Sequence, residues 1–227
     1  MLDLIQVDLS IPVTKGLTAC LSPDELAKAR SFHFDHLQRR YLVAHAALRN
    51  VMSSYLTRAP SELSFVKNEW GKPSVPGGPH FNLSHSDDLA VIVVDLERET
   101  GIDLETGSLA LSGDEMTHVL SPDELAERRE HDLADADHLQ LWVRKEAVLK
   151  SLGKGVAYDP ARLTVGFHSL DFNRWREVST IDDGARHDFH LLDVRLGAMS
   201  CAVARRDEPL PAGAIAFRSW SPESEAY

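Results

Sequence analysis

Two short runs carry the side chains best suited to chemistry. Gly101-Ile102-Asp103-Leu104-Glu105 alternates apolar and acidic residues. It reads as a short strand with Asp103 and Glu105 on one face, because strand side chains alternate with a period of two. Trp142-Val143-Arg144-Lys145-Glu146-Ala147-Val148-Leu149-Lys150 reads as a helix. At about 100° per residue, Lys145, Val148, Leu149 and Leu152 share a stripe with Leu141 and Trp142. Glu146 and Lys150, four residues apart, adjoin each other on the edge of that stripe. Packed side by side, strand and helix would gather three carboxylates and one or two ammonium groups. That set suits a hard divalent cation with oxygen ligands and a phosphorylated substrate.

The rest of the chain must supply elements that place these runs together. Residues 2–10 read as a strand. Ser22-Pro23-Asp24-Glu25 has the grammar of a helix start, with a serine cap, proline in the first turn and acids behind it. Tyr41, Ala44, His45, Leu48, Met52 and Tyr55 recur at helical spacing and predict a helix from Leu37 to Leu56. Leu63–Lys67 reads as a strand, and Asn68–Pro79, with Gly71-Lys72-Pro73 and Gly77-Gly78-Pro79, as a turn-rich loop. Phe81–Ser86 leads through Asp87-Asp88 into a strand at Leu89–Asp95. His85 is expected in a turn whose free N–H groups suit an anion. Later strands are expected at Leu163–Phe167, Asp188–Arg195 and Gly197–Arg205, with a loosely held polar tail from Pro209. Helices with mostly antiparallel strands give an α+β fold.

The two halves echo each other. Leu21-Ser22-Pro23-Asp24-Glu25-Leu26-Ala27 recurs as Leu120-Ser121-Pro122-Asp123-Glu124-Leu125-Ala126. Val7-Asp8-Leu9 matches Ile102-Asp103-Leu104, Tyr41–Arg49 matches Trp142–Lys150, and Pro60–Leu63 matches Pro160–Leu163. The offset stays between about 95 and 101, too long a period for a solenoid. It predicts two similar β-α-β lobes about a pseudo-twofold axis, a fused pseudo-homodimer with its active cleft between the lobes. On this reading residues 1–100 form the N-terminal lobe, 101–215 the C-terminal lobe and 216–227 a polar tail. In this register Glu146 falls on His45 and Lys145 on Ala44, so the acidic trio belongs to the second half alone. The first half offers basic groups instead: Arg40, Arg49, Lys72 and His85, with Ser84 beside them.

Composition narrows the function. The net charge of −11 opposes bulk binding to nucleic acid or anionic membranes. The longest aliphatic run, Leu89–Val94, is too short to span a bilayer, and the acidic N-terminus lacks the basic region of a signal peptide. Two cysteines without close spacing fit a reducing cytoplasm. There is no phosphate-binding GxxxxGK[ST], no HExxH, no GxSxG and no GxGxxG. His187 and His190 fall on opposite faces of a strand, which disfavours zinc.

Phe81-Asn82-Leu83-Ser84-His85-Ser86, then Gly101–Glu105, then Trp142-x-x-Lys145-Glu146-Ala147-x-x-Lys150 resemble, in that order and spacing, the phosphopantetheinyl transferases of the surfactin-synthetase-activating type. The resemblance runs from about Arg40 to Leu163. It implies transfer of the 4'-phosphopantetheine arm of coenzyme A to a serine of an apo acyl or peptidyl carrier protein, releasing adenosine 3',5'-bisphosphate. By similarity Asp103, Glu105 and Glu146 hold Mg²⁺ or Mn²⁺, and Lys150 neutralises a phosphate. Arg40, Lys72 and His85 grip the adenosine-side phosphates; Ser84 assists and Lys145 adds a second ammonium. Glu146 is the base for the serine hydroxyl, directly or through a metal-bound water, so Glu146 and Lys150 are the catalytic pair. A cytoplasmic monomer is expected, with the carrier landing beside Gly107–Met116. The competing reading is a coenzyme A or nucleotide-binding module without turnover.

Overall fold

Three apolar layers order the chain, and the elements follow from which layer each residue enters. In the computed structural model, which describes residues 1–107, 113–131, 133–167, 174–211 and 213–223, the chain runs β1 (Leu2–Asp8), α1 (Lys15–Ala19), α2 (Pro23–Arg30), α3 (Asp35–Leu56), the short strands β2 (Val66–Lys67) and β3 (Pro73–Ser74), β4 (His80–Ser86), β5 (Leu89–Asp95), β6 (Thr100–Glu105), α4 (Gly113–Val119), α5 (Pro122–Glu130), α6 (Asp135–Leu152), β7 (Arg176–Asp182), β8 (Ala185–Asp193), β9 (Ser200–Arg206) and β10 (Ile215–Trp220). One four-stranded sheet has the order β10-β1-β5-β4 and the other β6-β9-β8-β7. All pairings are antiparallel except β10 beside β1.

Helix α3 lays Val43, Ala47, Val51 and Met52 on the β1–β5 face carrying Ile5, Val7, Ile92 and Val94. Helix α6 lays Val143, Ala147 and Val148 on Phe189, Leu191, Ala202 and Ala204. The sheets meet back to back through Leu2, Leu4, Val91, Val93, Ile102, Leu104, Leu192 and Val203. The result is a helix–sheet–sheet–helix stack, an α+β fold of two lobes with a shared plan. Both lobes begin their helical part with the same reciprocal cap, Ser22 with Glu25 and Ser121 with Glu124, each serine hydroxyl accepting from the glutamate N–H and each carboxylate from the serine N–H.

The structure shifts the register of the repeat. Arg49 donates to Glu25 at 2.7 Å and to the carbonyls of Pro60 at 2.8 Å and Leu63 at 3.0 Å. Lys145 pairs with Glu124 at 2.7 Å and donates to Pro160 and Leu163 carbonyls. Arg49 is therefore the counterpart of Lys145, not of Lys150, and Asn50 is the counterpart of Glu146, not His45. Both helices also end on a left-handed residue, Thr57 and Gly153. Matching letters alone misplaced the helix because the second lobe inserts an extra 3₁₀ turn, Gly155–Ala157, before the shared one at Pro160–Arg162.

Several segments differ from their sequence reading. Leu163–Phe167 is not a strand; it wraps α5 and α6, its N–H groups at Val165 and Gly166 donating to Glu124. Leu63–Lys67 retains only β2 as strand. His85 lies inside β4, paired with Ala90, so its backbone belongs to the ladder; Asp87 and Asp88 alone make the turn. The segment read as a polar tail contains β10, whose Trp220 enters the first-lobe core at 6% exposure. Charged and polar residues in that segment hid a strand that is half-buried against β1. Among the described residues no helix is long and apolar enough to cross a membrane.

Candidate active site between the lobes

A cavity of about 310 Å³ opens between the lobes, lined by Leu83, Ser84, His85, Asp103, Glu105, Trp142, Glu146 and Lys150. The strand and helix that carry the acids meet because of Gly101. A Cβ there would stand 2.2 Å from the Ala147 carbonyl and 2.4 Å from the Ser151 N–H, so β6 and α6 approach backbone to backbone. Ile102 and Leu104 turn into the layer between the sheets, which leaves Asp103 and Glu105 facing α6. Helix α6 is buried on almost every side; Trp142, Glu146 and Lys150, spaced four apart, form its half-exposed face.

Strand β4 supplies the other wall by alternation. Asn82, Ser84 and Ser86 point at β6: the Ile102 N–H donates to Asn82 Oδ1 at 3.0 Å, Ser84 Oγ donates to Asp103 Oδ1 at 2.8 Å, and Ser86 Oγ donates to Glu105 Oε2 at 2.8 Å. Asn82, Ser86 and Thr106, which bonds Asp87 at 2.6 Å, are site-building residues absent from the motif reading. Their signal was the polar residue at every second position of β4. His85, one residue out of phase with Ser84, belongs to the opposite face of the strand. Burial first, then the neighbouring Lys150, Arg40 and His45 charges, pushes its imidazole pKa down, with Asp103 partly opposing.

Lys150 bridges the lobes, donating to Asp103 Oδ1 at 2.5 Å and Ser84 Oγ at 3.0 Å. The other Asp103 oxygen, Oδ2, is buried and without a hydrogen-bond partner, an expensive state for a carboxylate oxygen. Glu146 is pushed above the ordinary carboxylate pKa, first by burial and then by Asp103 and Glu105, while Lys150 pulls the other way. An orphaned carboxylate oxygen beside two like-charged acids is a donor set of the kind a hard cation takes. Among the described residues no cluster of three ligating side chains is already closed around a metal position; the ammonium of Lys150 sits on Asp103 instead.

Three sequence-predicted residues lie elsewhere. Lys145 is fully buried in its pair with Glu124 and takes no part in the cavity, correcting its assignment as a coenzyme A contact. An amphipathic lysine in an apolar stripe is read equally well as a ligand group or as a core cation, and the buried partner decides. Lys72 reaches Glu99 at 2.5 Å and the carbonyls of Thr100 and Ser151 at 3.2 Å. Burial lowers its pKa and Glu99 partly restores it. It holds the crossing from β5 to β6 and does not line the cavity. Arg40 donates to Asp88 at 2.9 Å, near His85 but outside the cavity lining. Of the expected landing zone for a carrier, residues 108–112 lie outside the described residues.

Known proteins resemble the chain in both lobes. A family model described as 4'-phosphopantetheinyl transferase, N-terminal, matches residues 13–97, and one described as the 4'-phosphopantetheinyl transferase superfamily matches residues 99–203. The chain is 34% identical over 160 residues to 4'-phosphopantetheinyl transferase HetI of Nostoc sp., covering 63% of this chain and 64% of that protein. It is 30% identical over 189 residues to a phosphopantetheinyl transferase of Thraustochytrium sp., covering 75% and 64%. To 4'-phosphopantetheinyl transferase Sfp of Bacillus subtilis it is 29% identical over 157 residues, covering 65% and 67%. It thus spans just under two thirds of the first two relatives' own lengths. With both lobes matched and the acids of β6 and α6 gathered against β4, the chain belongs to the 4'-phosphopantetheinyl transferase superfamily.

Proposed function

We propose that the protein moves the 4'-phosphopantetheine arm of coenzyme A onto a serine of an apo acyl or peptidyl carrier protein. The observation that carries this reading is the asymmetric cavity: Asp103, Glu105, Glu146 and Lys150 from one lobe face Ser84 and His85 from the other. Glu146 takes the proton of the carrier serine as its oxygen attacks the pantetheine-side phosphorus; its raised pKa suits a proton acceptor. The bond to the bridging oxygen breaks, and adenosine 3',5'-bisphosphate leaves with that oxygen. Lys150 releases Asp103 and turns to the charge developing on the leaving group. His85, neutral and half-enclosed when free, becomes the cationic partner of the remote phosphate, and Arg40 adds a second charge. That remote binding energy positions the reacting phosphorus. Asp103, Glu105 and Glu146 would hold Mg²⁺ or Mn²⁺, which supplies charge neutralisation at the pyrophosphate.

In this proposal residues 1–100 grip the nucleotide side and residues 101–215 carry the acids, while β10 braces the first lobe. The protein acts as a cytoplasmic monomer, since its dimer-like interface is internal. Chromatography of the nucleotide products tests the reading. Adenosine 3',5'-bisphosphate should form only with apo carrier, coenzyme A and divalent cation together, and a chelator should stop it. Coenzyme A bound at the cavity with no bisphosphate formed on any carrier would contradict it and favour a binding module.

A further inference from the structure

We infer that the exposed face at the start of α3 is the docking surface for an acidic protein partner, and, resting on the transfer reading above, that this partner is the carrier protein itself. Phe34 stands at the helix cap with 57% of its surface exposed. The exposed rings of His33 and His36 flank it at 5.0 and 5.7 Å. Lys28, over the Phe32 ring at 5.3 Å, and Arg30 are exposed and, among the described residues, have no carboxylate in ion-pair reach. Residues 28–40 hold four lysines and arginines against one carboxylate, Asp35, in a chain of net charge −11. Asp35 lies in the first turn of α3, where the helix end favours an acid in any case.

Other exposed apolar side chains lack this surround. Ile181 adjoins Asp182 and Asp183, and Trp70 lies under Lys154, which those two aspartates already engage at 2.7 and 2.8 Å. The Phe34 face alone joins an aromatic anchor to uncompensated cations, the composition of an interface centre with a charged rim. Its position fits delivery of a serine. Arg39 and Arg40, on the same first turns, reach Asp88 at 2.9 Å, in the turn that follows His85. The face therefore borders the cavity rim on the first-lobe side. An acidic helix seated there is steered by local charge against the repulsion of the whole molecule.

Steady-state kinetics with wild type, Phe34→Asp and Arg30→Glu test this. Each substitution should raise the KM for apo carrier about tenfold, with the KM for coenzyme A and kcat at saturating carrier unchanged. Changing an acidic residue of the carrier helix to lysine should restore Arg30→Glu, and added salt should raise the wild-type carrier KM more than that of Arg30→Glu. An increase in the coenzyme A KM instead would show that the face grips nucleotide, and unchanged carrier KM in both variants would overturn the docking surface while leaving transfer intact. A wild-type protein that modifies no carrier overturns the transfer reading and this surface together.

Discussion

At the scale of single residues, the account turns on charge placed where it is costly. Glu146 has a folded-state pKa above the ordinary 4.5, with burial the first cause. The folded protein therefore binds that proton more tightly than the unfolded chain, and the group subtracts stability as pH rises from about 4.5 through the raised value. Glu146→Gln should raise Tm near neutral pH by about 1–3 °C, with the gain vanishing below pH 4–5 where both side chains are neutral, and should cut transfer by about 100-fold or more. Thermal melts across pH and turnover of the same variant check both halves. Lys145→Met strands Glu124 as a buried lone charge and should cost about 3–5 kcal/mol in urea unfolding, with the coenzyme A KM of the folded protein unchanged. His85→Gln should raise the KM for coenzyme A more than for its dephospho form; equal effects would remove it from the 3'-phosphate. Asp103, Glu105, Glu146 and Lys150 were legible because their types and spacing are chemical statements. Lys145 was not, because only a residue 21 positions away, Glu124, fixes where its ammonium goes.

At the scale of elements, the site exists because one helix–strand pair is closer than its twin. Gly101 lets α6 touch β6, and Ala202 and Ala204 keep the neighbouring strand low beneath it. In the first lobe α3 rests on Ile5, Val7, Ile92 and Val94, branched side chains that hold it off the sheet. Gly101→Ala should force a backbone shift, destabilise by about 1–3 kcal/mol and lower kcat more than it raises the KM for coenzyme A, since Glu146 and Lys150 move with the helix. A variant with unchanged kcat would mean that α6 does not need this approach. Most elements were readable from periodicity: α3 was expected two residues short at its start, and β5 was placed at its observed bounds. The alternating Asn82-Ser84-Ser86 zipper was visible as letters but not as an interface, since its partner edge, β6, is set by the meeting of two sheets. Phase also separates Ser84 from His85: one side chain organises Lys150 and Asp103, while the other faces the helix bearing Arg40 and His45.

At the scale of the whole molecule, duplication explains the architecture and its loss of symmetry explains the single cleft. The repeat was legible in the sequence; its helix register was not, because an inserted 3₁₀ turn is invisible until the buried cations Arg49 and Lys145 are seen doing the same work. The C-terminal strand was equally hidden, since β10 takes its stability from pairing with β1 rather than from its own apolar pattern. Trp220→Ala should cost about 3–5 kcal/mol in denaturant unfolding, where a dispensable tail would cost nothing. Across the lobes, Arg205 reaches Asp95 at 2.6 Å, with both side chains buried, and Lys72 with Glu99 clamps the crossing between β5 and β6, so the cavity walls are fixed relative to each other. The central claim is that this cavity assembles a transferase from two lobes. Its most direct test is the intact mass of an apo carrier protein after incubation with coenzyme A, Mg²⁺ and either wild-type protein or Glu146→Gln. The account predicts a gain of one phosphopantetheine on the carrier serine with wild type and none in the same interval with the variant; equal gain with both, or none on any carrier with wild type, would contradict it.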